Sequence, residues 1–195
     1  MVPKFAPSRG PIAGASSTLR PVGEMTTSFE TGFSRLFTER FAPLFRYLAH
    51  LTGDGDVASD LAQYAFLKLY QRGILPEDVG AWLVTVAHNH LRDQQRSLRR
   101  RLSLLGSGRE AVPGPSAATG ADVAIEAAER RDRVQAVLAR LTDRERRILL
   151  LHHSGYSYRE IALALDVALA GVGTILRRAG TAFRHAYEEA HGAPD

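Results

Sequence analysis

Seven polar side chains recur at helical spacing along one stretch of this chain: Thr85, His88, Asn89, Arg92, Gln95, Arg96 and Arg99. Residues three and four apart share a helix face, so a helix over Ala81–Arg101 presents these groups on one side. Trp82, Leu83, Val86, Ala87 and Leu91 recur at the same interval on another side, as a stripe fit to be buried. The polar side begins with hydroxyl, imidazole and amide groups and ends in guanidinium groups. Cations neutralise phosphates and supply affinity, while Asn, Gln and His reach base edges. The pattern suits a nucleic-acid strand. A solvated helix with a basic last turn, favoured by the helix dipole, has the same composition. The rest of the chain has to decide between the two.

The 195 residues are 45% hydrophobic, enough for one medium or two small cores. Lys and Arg number 25 against 21 acids, a net charge of +4 with a pI of about 9.7. An excess that small makes the placement of the cations more informative than their total. There is no cysteine, which excludes disulfides, cysteine-ligated zinc, iron–sulfur clusters and a thiol nucleophile, and fits a cytoplasmic location. No apolar run is long enough to span a membrane. Residues 1–27 are rich in Pro, Gly, Ser and Ala and lack the apolar core of a secretory signal, so they read as a disordered tail. Met25 offers a second start codon beside Met1.

The elements that must position the polar face read as helices throughout; no segment sustains strand alternation. Ordered structure is expected from Ser28. Phe29, Phe33, Leu36 and Phe37 begin a helical stripe that Phe41, Leu44, Phe45, Leu48 and Leu51 continue past Pro43. Thr52-Gly53-Asp54-Gly55-Asp56 is a turn, too short and without the distal Glu of a calcium loop. A helix over Asp56–Gln71 buries Val57, Leu61, Ala65, Phe66 and Leu69 and turns Asp60 and Gln63 outward. Arg72–Gly80 breaks it and leads into the helix at Ala81. Residues 103–122 read as a flexible linker. Helicity returns at Val123, with Thr142/Glu145 and Ser157/Glu160 as two capping boxes. A short helix from Tyr158, a tight turn at Asp166-Val167-Ala168 and a longer basic helix have helix-turn-helix spacing. In that geometry the second helix enters the major groove. Arg177, Arg178 and Arg184 suit phosphates.

Catalysis finds little support. His50, His88, His90, His152 and His153 are available, but residues two apart or adjacent on a helix do not face one metal ion. No phosphate-binding glycine loop and no nucleophile motif is present. The expectation is therefore no catalytic residues, no metal and no cofactor. Tyr156 and Tyr158 read as packing residues at the helix-turn-helix entry, and Trp82 as core.

Together the two halves resemble an RNA polymerase sigma factor of the extracytoplasmic-function (ECF) type, in the sigma-70 family. Asp60-Leu61-Ala62-Gln63-Tyr64-Ala65-Phe66 is similar to the family's D-L-x-Q-x-x-F. Ala81-Trp82-Leu83 through Ala87-His88-Asn89 is similar to its A-W-L…A-x-N, with Asp93 and Arg96 following at D-x-x-R spacing. Leu141–Arg146 resembles L-P-x-x-x-R, Gly155–Ala162 resembles G-x-S-Y-x-E-I-A, and Arg178-Ala179 the closing R-A pair. Two ordered matches are far more specific than either alone.

The resemblance implies an all-α fold. A region 2-like helical bundle over 28–102 and a region 4-like helix-turn-helix domain over 123–190 would be joined by the linker, with a short tail over 191–195. It implies core RNA polymerase and promoter DNA as partners, an anti-sigma factor as a possible third, and no membrane insertion. Asp60, Leu61, Gln63 and Tyr64 would bind polymerase. The 73–80 loop with His88, Asn89, Arg92, Asp93, Arg96 and Arg99 would hold the melted −10 strand. Ser157, Tyr158, Thr174, Arg177, Arg178 and Arg184 would bind the −35 duplex. Tyr64 stands where the family usually carries an acid. Gly171 and Gly173 stand where it carries Thr and polar or basic residues, which leaves Thr174, Arg177 and Arg178 to read the duplex and predicts weak, phosphate-driven binding by the isolated C-terminal module. The rival reading is a stand-alone helix-turn-helix regulator with an N-terminal partner-binding domain. It accounts for Leu141–Arg184 but gives the Trp82–Arg101 surface no task.

Overall fold

The computed structural model describes residues 22–104 and 123–192, with side chains from Phe29 to Ser103 and from Glu129 to Gly192. Most of the expected tails and linker lie outside the described residues. Those described form seven helices and no strand. They are α1 (Val22–Thr52), α2 (Gly55–Arg72), α3 (Val79–Leu104), α4 (Val123–Arg140), α5 (Asp143–His153), α6 (Tyr158–Leu165) and α7 (Leu169–His191). Helix α1 begins six residues before the expected Ser28. Pro21 directly precedes it and no further proline interrupts it until Pro43, so nothing in the backbone chemistry delays the start.

The N-terminal helices pack through the stripe seen in the sequence. Phe29, Phe33, Phe37, Phe41 and Phe45 climb α1 with neighbouring ring centroids 5.0–6.5 Å apart. Phe66 of α2 inserts edge-on at 4.9 Å from Phe37, and Tyr70 meets Phe33 at 5.3 Å. Such pairs add to the burial of their area. Leu44, Leu48, Leu61, Leu69, Leu83 and Val84 are fully buried beneath them. The α1–α2 turn closes on Asp54, whose Oδ1 accepts from the N–H groups of Asp56 and Val57 at 2.8 and 3.1 Å. Gly73 ends α2 with φ +69°, a left-handed cap that disfavours any side chain.

The C-terminal helices owe their boundaries to the two boxes. Glu145 N–H donates to Thr142 Oγ1 at 3.3 Å while the Thr142 N–H donates back to Glu145 Oε2 at 3.1 Å. Ser157 and Glu160 repeat the exchange at 3.3 and 2.8 Å. Asp166 turns the chain between α6 and α7 in the left-handed region, φ +53°, which Asp tolerates better than most residues. Val167 N–H then reaches Ala162 O at 2.9 Å. Ile148, Leu151, Ile161, Val172 and Ala179 fill the space inside.

The buried side chains form one contiguous set across both groups of helices. Tyr47 of α1 and Tyr156, before α6, are both buried and meet edge-on at 6.4 Å. Gln135 Nε2 donates to the His50 carbonyl at 2.9 Å. Helix α5 lies on α1, and α6 on the start of α3.

Candidate nucleic-acid interface

On α2, Asp60 and Gln63 are exposed side by side, and Gln63 Nε2 donates to Ser59 Oγ at 3.0 Å. Leu61 is fully buried. It turns inward, as its hydrophobic spacing predicts, and supplies the core of the helix pair, so its side chain is not available to a partner as the resemblance implied. Tyr64 is half-buried and stacks flat on His90 of α3, centroids 3.7 Å apart and planes 8° from parallel. Lys68 Nζ lies 5.4 Å from the Tyr64 ring and the Arg72 guanidinium 5.7 Å from the Trp82 ring, both within cation–π range. These groups, with Asn89 and Asp93, line a cleft of about 320 Å³ between α2 and α3. Trp82 is thus core on one side and cleft wall on the other. Lys68, Arg72 and His90 were not among the expected site residues. The signal was present: Tyr64, Lys68 and Arg72 recur every fourth residue, as do Trp82, Val86 and His90.

Along α3 the polar face forms as the spacing required, with one exception. Asn89, Arg92, Asp93, Gln95, Arg96 and Arg99 are exposed, and Asp93 stands 4.0 Å from Arg96. Thr85 donates its hydroxyl to Ala81 O at 2.8 Å, back into its own helix. The exception is His88, which is only 9% exposed. Helix α5 seats over it, and the crevice between them, about 340 Å³, is walled by Leu51, Arg92, Asp143, Arg146 and Arg147. Burial, then the Arg147 guanidinium, push the imidazole down to about 4; Asp143 opposes, and Arg92 and Arg146 add to the depression. In this arrangement His88 is neutral at pH 7 and turned away from any strand lying on α3.

The helix-turn-helix places Thr174, Arg177, Arg178 and Arg184 on the outside of α7. Of these, Arg177 and Arg178 line an open groove of about 720 Å³ together with Arg140, Thr142, Glu145 and His185. Tyr158 is 45% exposed, with its ring 6.0 Å from His152; it is less a packing residue than Tyr156, which is buried. Ser157 spends its hydroxyl on the capping box, donating to Glu160 Oε2 at 2.7 Å. The residue before α7, Ala168, has no side-chain cap to offer. Glycines at 171 and 173 leave the second helix without base-reaching groups on its first turn and a half. Among the described residues no cluster of three His, Cys, Asp or Glu could hold a metal ion, and no helix is long and apolar enough to cross a membrane.

Residues 36–101, which hold α2 and most of α3, match the family description "Sigma-70 region 2", and residues 131–180 match "Sigma-70, region 4". The chain is 31% identical over 162 residues to the ECF RNA polymerase sigma factor SigL of Mycobacterium tuberculosis, covering 79% of this chain and 88% of that one. A shorter match, 36% identical over 76 residues, joins 37% of this chain to 29% of the ECF RNA polymerase sigma factor BldN of Streptomyces coelicolor. Among solved structures, the fold is similar to the sigma factor RpoE of Bartonella quintana, determined with the anti-sigma factor NepR. The TM-score is 0.59 at 20% identity, over 81% of this chain and 98% of that one.

Proposed function

Since this chain belongs to the ECF RNA polymerase sigma factors, we propose a division of its promoter-recognition work among the residues described above. The exposed pair Asp60 and Gln63, with the edge of Tyr64, docks on core RNA polymerase. The exposed part of α3, from Asn89 through Arg99, takes the melted strand of the −10 element. Its guanidiniums lie along the phosphates and Asn89 and the neighbouring cleft receive bases, since stacking surfaces beside a cationic groove are how single strands are held. Helix α7, with Thr174, Arg177, Arg178 and Arg184, lies on the −35 duplex mainly through phosphates. Tyr158 sits at the entry of that module.

The single observation that carries this division is the separation of chemistry within α2 and α3. The outward face of α2 carries an acid–amide pair, and the exposed side of α3 carries the cations. Two different partners can therefore be held at once. The protein contributes no catalysis of its own; it lends specificity to an enzyme, and that enzyme places its action in the cytoplasm. An anti-sigma protein is the regulatory partner proposed, as the Bartonella relative is described with one. The stand-alone regulator is not favoured, because it gives the exposed cationic side of α3 no task.

Titration of labelled protein with core polymerase tests the docking assignment. Changing Asp60 and Gln63 together to Ala should weaken binding by about tenfold or more, ~1.4 kcal/mol, while helix content is retained. Unchanged affinity would move the polymerase contact off α2.

A further inference from the structure

The crevice between α3 and α5, where His88 lies, carries more positive charge than its own residues neutralise. Arg92 of α3 and Arg146 and Arg147 of α5 line a space of about 340 Å³, and the one carboxylate among them is Asp143. Arg146 Nη2 donates to Asp143 Oδ1 at 3.2 Å, while Arg147 Nη1 stands 3.8 Å from Oδ2. Arg147 Nε donates to the Tyr47 hydroxyl at 3.5 Å, a neutral acceptor. Arg92 makes no ion pair among the described residues. Arg146 Nε is buried and donates to no acceptor. Three guanidiniums against one carboxylate leave two positive charges in excess, because His88 is neutral at pH 7.

We propose that this crevice binds a doubly charged phosphoryl anion, a phosphate monoester or a diphosphate, gripped by Arg146 and Arg147 from α5 and by Arg92 from α3.

The argument is one of charge and shape. The Arg147 side chain is only 16% exposed, and a guanidinium taken out of water without a full counter-charge is costly. A phosphate monoester carries a charge of about −2 near neutral pH, which cancels the excess; a single carboxylate cancels half of it. Guanidinium forks match phosphate oxygens two at a time, and such charge-assisted bonds are the stronger kind. The space is at the lower end for ligand sites, which run from ~300 to ~1,000 Å³, so it suits a small phosphate compound. Leu51 and Leu91 give it an apolar margin and Gln95 an amide, where the organic part of an ester rests. Arg96 and Arg99, further along α3, do not line it, so a strand lying on them leaves the crevice to its own ligand.

His88 reports on occupancy, since it stands among these cations. The full-length chain, with its histidines isotope-labelled, is titrated at pH 7.5 with sodium diphosphate and followed by NMR. Inorganic phosphate and adenosine diphosphate are parallel arms, and sodium chloride at matched ionic strength is the control. The resonance missing from His88→Gln should move saturably with diphosphate and stay put in chloride. By calorimetry, Arg146→Gln and Arg147→Gln should each weaken diphosphate binding by about tenfold. Arg100→Gln with Arg101→Gln removes two exposed cations outside the crevice and should leave binding unchanged. Arg92 is kept, because the melted strand is its proposed partner. If Arg147→Gln fails to fold for want of its bond to Tyr47, Arg146→Gln and the His88 resonance decide. Tighter binding of adenosine diphosphate than of diphosphate would support the site as one for an ester; the reverse order would support it as one for the free anion. A His88 resonance unmoved by all three phosphates would overturn the site, as would an equal loss of binding in the Arg100 and Arg101 variant. Movement with an oligothymidylate and none with diphosphate would give the crevice to the strand and overturn it too.

Discussion

His88 and Glu160 share a feature: each is a polar side chain buried where the two helical groups meet. For His88 the consequence is a pH dependence whose sign follows from its surroundings. Its pKa falls from the ordinary 6.5 to about 4, through burial first and then the guanidiniums of Arg147, Arg92 and Arg146, against the opposing carboxylate of Asp143. His50 is also depressed, by burial, His153, Arg46 and Arg131. A depressed pKa in the packed state means that the unpacked chain takes up protons first. Stability is thus full above about pH 6.5 and is lost as pH falls toward 4, by roughly 1–3 kcal/mol for His88. Melting temperatures across that range should show the loss, and His88→Gln should flatten part of it, leaving the share due to His50. Glu160 closes a capping box and neutralises Arg40, so Glu160→Ala removes both at once. Urea denaturation should find it less stable by about 2–4 kcal/mol, with Glu160→Gln less affected. Neither residue's burial was legible in the sequence. The spacing of His88 placed it correctly beside Asn89 and Arg92, but periodicity within one helix says nothing of what a distant helix will cover. Leu61 is the reverse case: its hydrophobic spacing marked it as core, as the structure finds it, while the motif it belongs to suggested a surface.

At the scale of the helix, the boundaries that sequence read best are those set by side-chain chemistry. Thr142 with Glu145 and Ser157 with Glu160 are both present as reciprocal hydrogen bonds, because a capping box is local and needs no partner from elsewhere. The start of α1 was read worst, since a Pro- and Gly-rich composition masks where it ends. Helix α7 is built below its potential. Ala168 opens it without a cap, and Ala168→Ser should raise stability by about 1 kcal/mol. A Cβ on Gly171 would meet only Ile175 Cδ1 at 3.9 Å, and one on Gly173 only Tyr158 Cε2 at 3.7 Å. Both are ordinary contacts. Gly171→Ala and Gly173→Ala should therefore each stabilise the helix by about 0.5–1 kcal/mol, a rise of about 2–4 °C in Tm at ~1 kcal/mol. Duplex binding should remain weak and strongly salt-dependent in these variants, because alanine adds no base-reading group. Tight, salt-insensitive binding by the C-terminal module would show that α7 reads sequence in some other way.

For the whole molecule, the organising fact is that the exposed Asp60–Gln63 face of α2, the cationic run of α3 and the helix-turn-helix occur in one chain whose two halves are packed together. The existence of two helical modules was legible, because each carries its own hydrophobic stripe and the second also its own capping boxes. Their packing was not, because Tyr47–Tyr156, Arg40–Glu160 and Arg159 with Glu77 and Asp78 join residues roughly 80 to 120 positions apart, and no local pattern reports such pairs. Sigma activity needs core polymerase and both modules on one promoter. Run-off transcription on a pool of genomic fragments, with core polymerase in the presence and absence of this protein, tests that claim most directly. Specific new starts that disappear when Asp60 and Gln63 are both changed to Ala are the predicted result. No new starts, together with specific duplex binding by the protein alone, would contradict it and return the chain to the reading of a stand-alone regulator.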